Sequence, residues 1–248
     1  MLQSGLGGTL RRDAWWVGPA ITFTILSGFI VYATFRAFEN ASFEYGPYLS
    51  PFYSPLIDVS FAKGWPIPVS GAMLILAGPG SFRFTCYYYR KAYYRAFAFD
   101  PPACAVGERH KHNYNGERKL LIIQNFHRFT LYVAILFLFF LWHDAIKALV
   151  GWQDGVHLNV GTLVLTMNAS LLTGYTLSCH AFRHLVGGNV NSYSTATAGM
   201  ARYKLWRLVS KLNSNHMLWA WTSLFGVALT DLYIRSVSTG CIPDVRIF

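Results

Sequence analysis

Residues 120–145 read LLIIQNFHRFTLYVAILFLFFLWHDA. A run this long and this apolar is near the length of roughly 20 residues that spans a bilayer. The other long apolar blocks extend the pattern. With this one they make five, at about 15–38, 68–89, 120–145, 158–185 and 216–234. The composition agrees: of 248 residues, 53% are hydrophobic and 13% charged, against about 25% charged in an ordinary soluble domain. The expected fold class is therefore an all-α membrane protein with five transmembrane helices in a single membrane domain. The first block is expected to be retained, because its apolar stretch is too long for a signal-peptide core and no small-x-small site follows it.

The net charge of +10 could suggest nucleic acid on a soluble protein. Here it is read as a topology signal, since loops on the cytoplasmic side carry the Lys/Arg excess. Segments 1–14, 90–119 and 183–212 hold 14 Lys and Arg residues, whereas the loops on the other side hold 5. The N-terminus is thus expected in the cytoplasm and the C-terminus outside. Gly78-Pro79-Gly80 predicts a kink in the second span. In residues 200–212, Leu205, Trp206, Leu208, Val209 and Leu212 alternate at helical spacing with Arg202, Lys204, Arg207 and Lys211. That pattern predicts an amphipathic helix at the membrane interface.

The same topology gathers unusual side chains at one depth. Cys86 lies near the inner end of the second span, and His127 lies about nine residues into the third, counted from Arg118. Cys179, His180 and His184 end the fourth span, and His216 opens the fifth. Cys104 falls in the inner loop. His110 and His112, among Arg, Lys and Asn, read as solvated surface residues. Ionisable groups within spans are costly and usually functional, so the cluster points to a redox metal centre. His180 and His184 are four apart and share a helix face. Arg83, Cys86 and Arg90 form a stripe that places positive charge near the Cys86 thiol, which favours its thiolate.

Five stretches around these residues resemble one family. They are FTCYYYRKAYYRAF (84–97), PPACAV (101–106), QNFHRF (124–129), SCHAFRHLVGG (178–188) and VSKLNSNH (209–216). They are similar to the five-helix membrane anchors of succinate dehydrogenase and fumarate reductase (respiratory complex II), in the haem-free actinobacterial type. The resemblance implies a plasma-membrane subunit that binds a flavoprotein and an iron–sulfur subunit. It further implies delivery of electrons to a quinone, menaquinone or ubiquinone, through an embedded Rieske-type 2Fe–2S cluster. Such a cluster takes two thiolates and two imidazoles. Cys86 and Cys179 are the expected thiolates, with Cys104 able to replace either. His180 with His184 is the simplest imidazole pair, and His127 with His216 the competing one. Tyr88 and Arg90 are the expected quinone contacts. Membrane lipid is the surrounding partner, nucleic acid is not expected, and a higher oligomer is compatible.

Two haems held in the usual way do not fit, because the first and second spans carry no histidine. One b-type haem on His127 and another histidine is the alternative cofactor. A transporter is a different class of reading; against it, the spans show no acidic relay at mid-membrane, since Asp144 and Asp231 lie toward the outer end. A purely structural anchor is the third, in which the Cys and His only pack and dock.

Overall fold

The computed structural model describes residues 8–60, 64, 66, 69–99, 123–152 and 155–247. Cys104, His110 and His112 lie outside the described residues. The described chain is mainly helical. In order its α-helices are α1 (Val17–Glu39), α2 (Gly71–Thr85), α3 (Tyr87–Phe97), α4 (His127–Val150), α5 (Val160–Leu177), α6 (His180–Arg183), α7 (Gly199–Ser214) and α8 (His216–Ser238). A two-residue hairpin, β1 (Glu44–Tyr45) and β2 (Tyr48–Leu49), follows α1 with Tyr45 opposite Tyr48. Among the described residues four helices, α1, α4, α5 and α8, are long and apolar enough to cross a bilayer.

Two expected spans are interrupted, each at a cysteine. The second block does not continue as one helix to residue 89: α2 is 15 residues long and stops at Cys86, which adopts an extended conformation with ψ 131°. The helix runs through Pro79 unbroken. The fourth block likewise breaks at Ser178-Cys179, and a short helix and a π-helical turn (His184–Gly188) follow. The Cys179 sulfur accepts the Phe182 backbone N–H at 3.3 Å and so caps α6. The third helix starts later than the apolar block suggested, so His127 is its first residue rather than one buried two turns inside.

Helix α5 packs between α4 and α8, and α2 packs on α4. Small residues permit the close approach, as is usual where lipid supplies no hydrophobic drive between helices. A Cβ at Gly174 of α5 would lie 2.6 Å from the Trp219 ring of α8. Helix α1 packs on α3 and α2, with few of its residues buried.

Two polar constructions tie the end of the bundle remote from α7. Asp231 and Arg235 of α8 are 0% and 4% exposed and pair at 2.9 Å. Tyr32 of α1 donates to Asp231 at 2.7 Å, Ser50 donates to its other oxygen, and Arg235 also reaches Glu39 at 3.0 Å. The tail after α8 folds back on the start of α5. Asp244 accepts from Tyr48 (2.6 Å), Tyr233 (2.7 Å), Asn159 (2.9 Å) and the Gly161 backbone N–H (3.0 Å).

Candidate metal centre

At the opposite end, four chain breaks or helix ends meet. Cys86 separates α2 from α3, His127 opens α4, Cys179 and His180 follow α5, and His216 opens α8. Helix ends suit such a role, because side chains there can point along the bundle axis rather than only sideways.

Cys86, His127, His180 and His216 line one cavity of about 470 Å³, together with Tyr87, Tyr88 and Asn213. The Cys86 sulfur is 3.4 Å from His216 Nε2. The other ring nitrogen of His216, Nδ1, shares a hydrogen bond of 2.7 Å with the Ser178 hydroxyl. His127 is arranged in the same way. Its Nδ1 shares a hydrogen bond of 3.0 Å with the Thr85 hydroxyl, and its Nε2 has no hydrogen-bond partner among the described residues. Stacking fixes both ring planes: His127 lies against Phe82 (4.6 Å, 14°) and His216 against Tyr175 (5.2 Å, 17°). A metal-ligating histidine has this form, with one nitrogen held by an outer partner and the other presented to the metal.

The remaining candidates divide. Cys179 is 1% exposed and belongs to the same core cluster as Cys86, though it does not line the cavity. His180 lines the cavity with its ring edge-on to Tyr87 at 6.3 Å. His184 is exposed in the π-helical turn and does not line the cavity. The His184 N–H still donates to the His180 carbonyl, so the two share one helical turn, but only His180 reaches the cavity. Tyr88 lines the cavity and accepts a hydrogen bond from Trp221 Nε1 at 2.6 Å. Arg90 sits on the first turn of α3, its backbone N–H donating to the Cys86 carbonyl at 2.9 Å. Among the described residues, no three His, Cys, Asp or Glu side chains converge as a bound metal ion would require. Cys86 and three histidines nevertheless line one cavity, so sulfur and nitrogen donors stand near one another.

Sequence reasoning missed Thr85, Ser178 and Asn213. Asn213 donates to the Ser178 carbonyl at 2.7 Å and so steadies the break before Cys179. One signal was available: each interrupting cysteine is preceded by a hydroxyl residue, Thr85-Cys86 and Ser178-Cys179.

The chain matches the family model described as actinobacterial succinate dehydrogenase subunit SdhC over residues 17–240. It is also similar to a chain in the solved Mycobacterium smegmatis Sdh1 complex in the apo form, with 41% identity, 97% of this chain and 94% of that chain covered, and a TM-score of 0.84. None of the curated proteins matches it. The protein belongs to the actinobacterial SdhC family and is a membrane-anchor subunit of succinate dehydrogenase.

Proposed function

We propose that this chain conducts electrons from the iron–sulfur subunit of complex II to a membrane quinone through a Rieske-type 2Fe–2S cluster. Cys86 and Cys179 hold the cluster as thiolates, and His127 and His216 as imidazoles. The observation that carries this reading is the paired fixing of the two histidines, each held at Nδ1 by a hydroxyl, with both side chains lining the Cys86 cavity. When bound, such a cluster supplies a one-electron carrier whose imidazole ligation raises the potential to roughly −150 to +300 mV.

The chain's own residues provide the rest. Thr85 and Ser178 fix the ring orientations before any metal arrives, which keeps reorganisation small. Arg83 lies over the Tyr175 ring that stacks on His216, so it brings a positive charge near the centre that would offset that of two thiolates. The flavoprotein and iron–sulfur subunits dock on the face bearing α7, whose Arg202, Lys204, Arg207 and Lys211 make it basic. This face is cytoplasmic. The chain crosses the membrane five times, α2 being the short second crossing, and its C-terminus lies outside.

The test is electron paramagnetic resonance of the reduced, assembled complex, with iron and acid-labile sulfide counted. Mixed Cys/His ligation gives a signal of lowered average g, and His127→Ala with His216→Ala removes that signal while those of the iron–sulfur subunit remain. A signal set indifferent to the double variant contradicts the proposal. So does a sharp reduced α-band of b-type haem.

A further inference from the structure

Arg83 sits in the last turn of α2, just before the break at Cys86. Its guanidinium donates to the Tyr89 hydroxyl (2.8 Å), the Ala220 carbonyl (3.1 Å) and the Ser223 hydroxyl (2.8 Å), all of them neutral groups. No Asp or Glu pairs with it among the described residues. Asp231 and Glu39 pair instead with Arg235 at the far end of the bundle. A charge inside a span is costly and usually functional, so this one calls for a task.

Its ring contacts show what the charge faces. The guanidinium carbon lies 4.6 Å from the centre of the Tyr175 ring, and that ring stacks on His216 at 5.2 Å and 17°. Arg83, Tyr175 and His216 thus form a contiguous series drawn from α2, α5 and α8. Tyr175 is 1% exposed, so the space between cation and imidazole is aromatic rather than aqueous. The series is also braced. Arg83 is bonded to the turn of α8 that follows His216, through the Ala220 carbonyl, and His216 is held from its other side by Ser178. An arginine suits such a place better than a lysine, because a guanidinium keeps its charge when desolvated and stacks its plane on an aromatic face.

We propose that Arg83 sets the reduction potential of the Cys/His centre: its unpaired charge, held against Tyr175 beside His216, stabilises the reduced state and raises the potential. The assignment rests on the reading of the chain as the carrier of a 2Fe–2S cluster. Reduction of such a cluster takes one electron from the iron–sulfur subunit and turns one ferric ion ferrous. No bond forms or breaks, and the cluster with its ligands becomes more negative by one charge. A fixed cation nearby favours that state. The Arg83 charge stands no farther than about 10 Å from the centre of the His216 ring, and at an effective dielectric of about 20 this distance is worth about tenfold in the equilibrium for reduction. Arg83 ligates nothing and acts only through its field. It makes the centre a better acceptor for electrons arriving from the partner subunit.

Redox titration of the assembled complex, followed by the paramagnetic resonance signal of the centre, tests this with three variants. Arg83→Gln removes the charge. Ser223→Asp leaves Arg83 in place but supplies a counter-ion where the hydroxyl now meets the guanidinium. Ser223→Ala removes the same hydrogen bond and keeps the charge unpaired. Reduction of a soluble dye by succinate, which bypasses the anchor, reports assembly. The first two variants are expected to lower the midpoint by about tenfold in the equilibrium constant, which is about 59 mV for a one-electron couple. Ser223→Ala is expected to leave it unchanged. A midpoint unmoved by Arg83→Gln and Ser223→Asp overturns the proposal. So does an equal shift in Ser223→Ala, because bracing and not charge would then set the potential. Loss of assembly in both charge variants also overturns it and assigns Arg83 to the fold. A signal present in the unaltered complex with an unmoved midpoint in the variants contradicts this proposal alone, whereas absence of the signal from the unaltered complex contradicts the cluster and this proposal together.

Discussion

At the scale of single residues, the proposed centre would depend on hydroxyls as much as on ligands. Thr85 and Ser178 each hold the histidine of another helix by Nδ1. Thr85→Val and Ser178→Ala are expected to weaken the centre by about 10- to 100-fold in metal affinity or activity, as loss of outer-shell partners does. The check is the amplitude of the anchor's resonance signal after mild chelation. The ligand candidates themselves were visible in the chain, because Cys and His are rare inside apolar blocks. Spacing favoured His180 with His184, and the two do share one helical turn. Only His180 lines the cavity, because which side chains face it depends on what the other helices bring there.

At the scale of elements, both departures from the expected spans occur where a cysteine sits in an extended or capping conformation. Hydropathy could not reveal them, since it averages over a window and Cys, Tyr and Phe are all apolar. Pro79 lies inside α2, while the helix ends at Cys86. The polar ties at the far end offer two predictions. Arg235→Met should destabilise the protein by about 3–5 kcal/mol, the cost of leaving the buried Asp231 carboxylate without its cation; thermal unfolding in detergent measures it. The Asp244 latch should be pH-dependent. Burial pushes its carboxyl up, but hydrogen bonds from Tyr48, Tyr233, Asn159 and the Gly161 backbone N–H outweigh burial and hold it below the usual carboxylate value. A lowered folded pKa means that its stabilising contribution is complete above the unfolded value of about 4 and is lost as pH falls through the folded value. Asp244→Asn should therefore lower the melting temperature at pH 7, and the gap from the unaltered protein should close on acidification.

At the scale of the whole molecule, the apolar blocks and the basic asymmetry were enough to expect a helical membrane protein, and four helices meet the length and hydropathy of a span. The short α2 escapes such a criterion because its neighbours, not its length, keep it in the bundle. The assembly logic is also geometric. Helix ends, not helix faces, carry the candidate ligands, and they meet on the side where α7 presents its basic residues. Cys241 gives a probe of orientation: it is exposed, whereas Cys86 and Cys179 are buried. A membrane-impermeant maleimide added to intact cells should label Cys241 from outside, and labelling only after the membrane is opened would reverse the topology.

The most direct measurement is iron-edge anomalous scattering from crystals of the assembled complex. The account predicts two adjacent iron positions in the cavity bounded by Cys86, His127 and His216. Anomalous density absent from that cavity, or a single iron at the centre of a planar macrocycle, would contradict it.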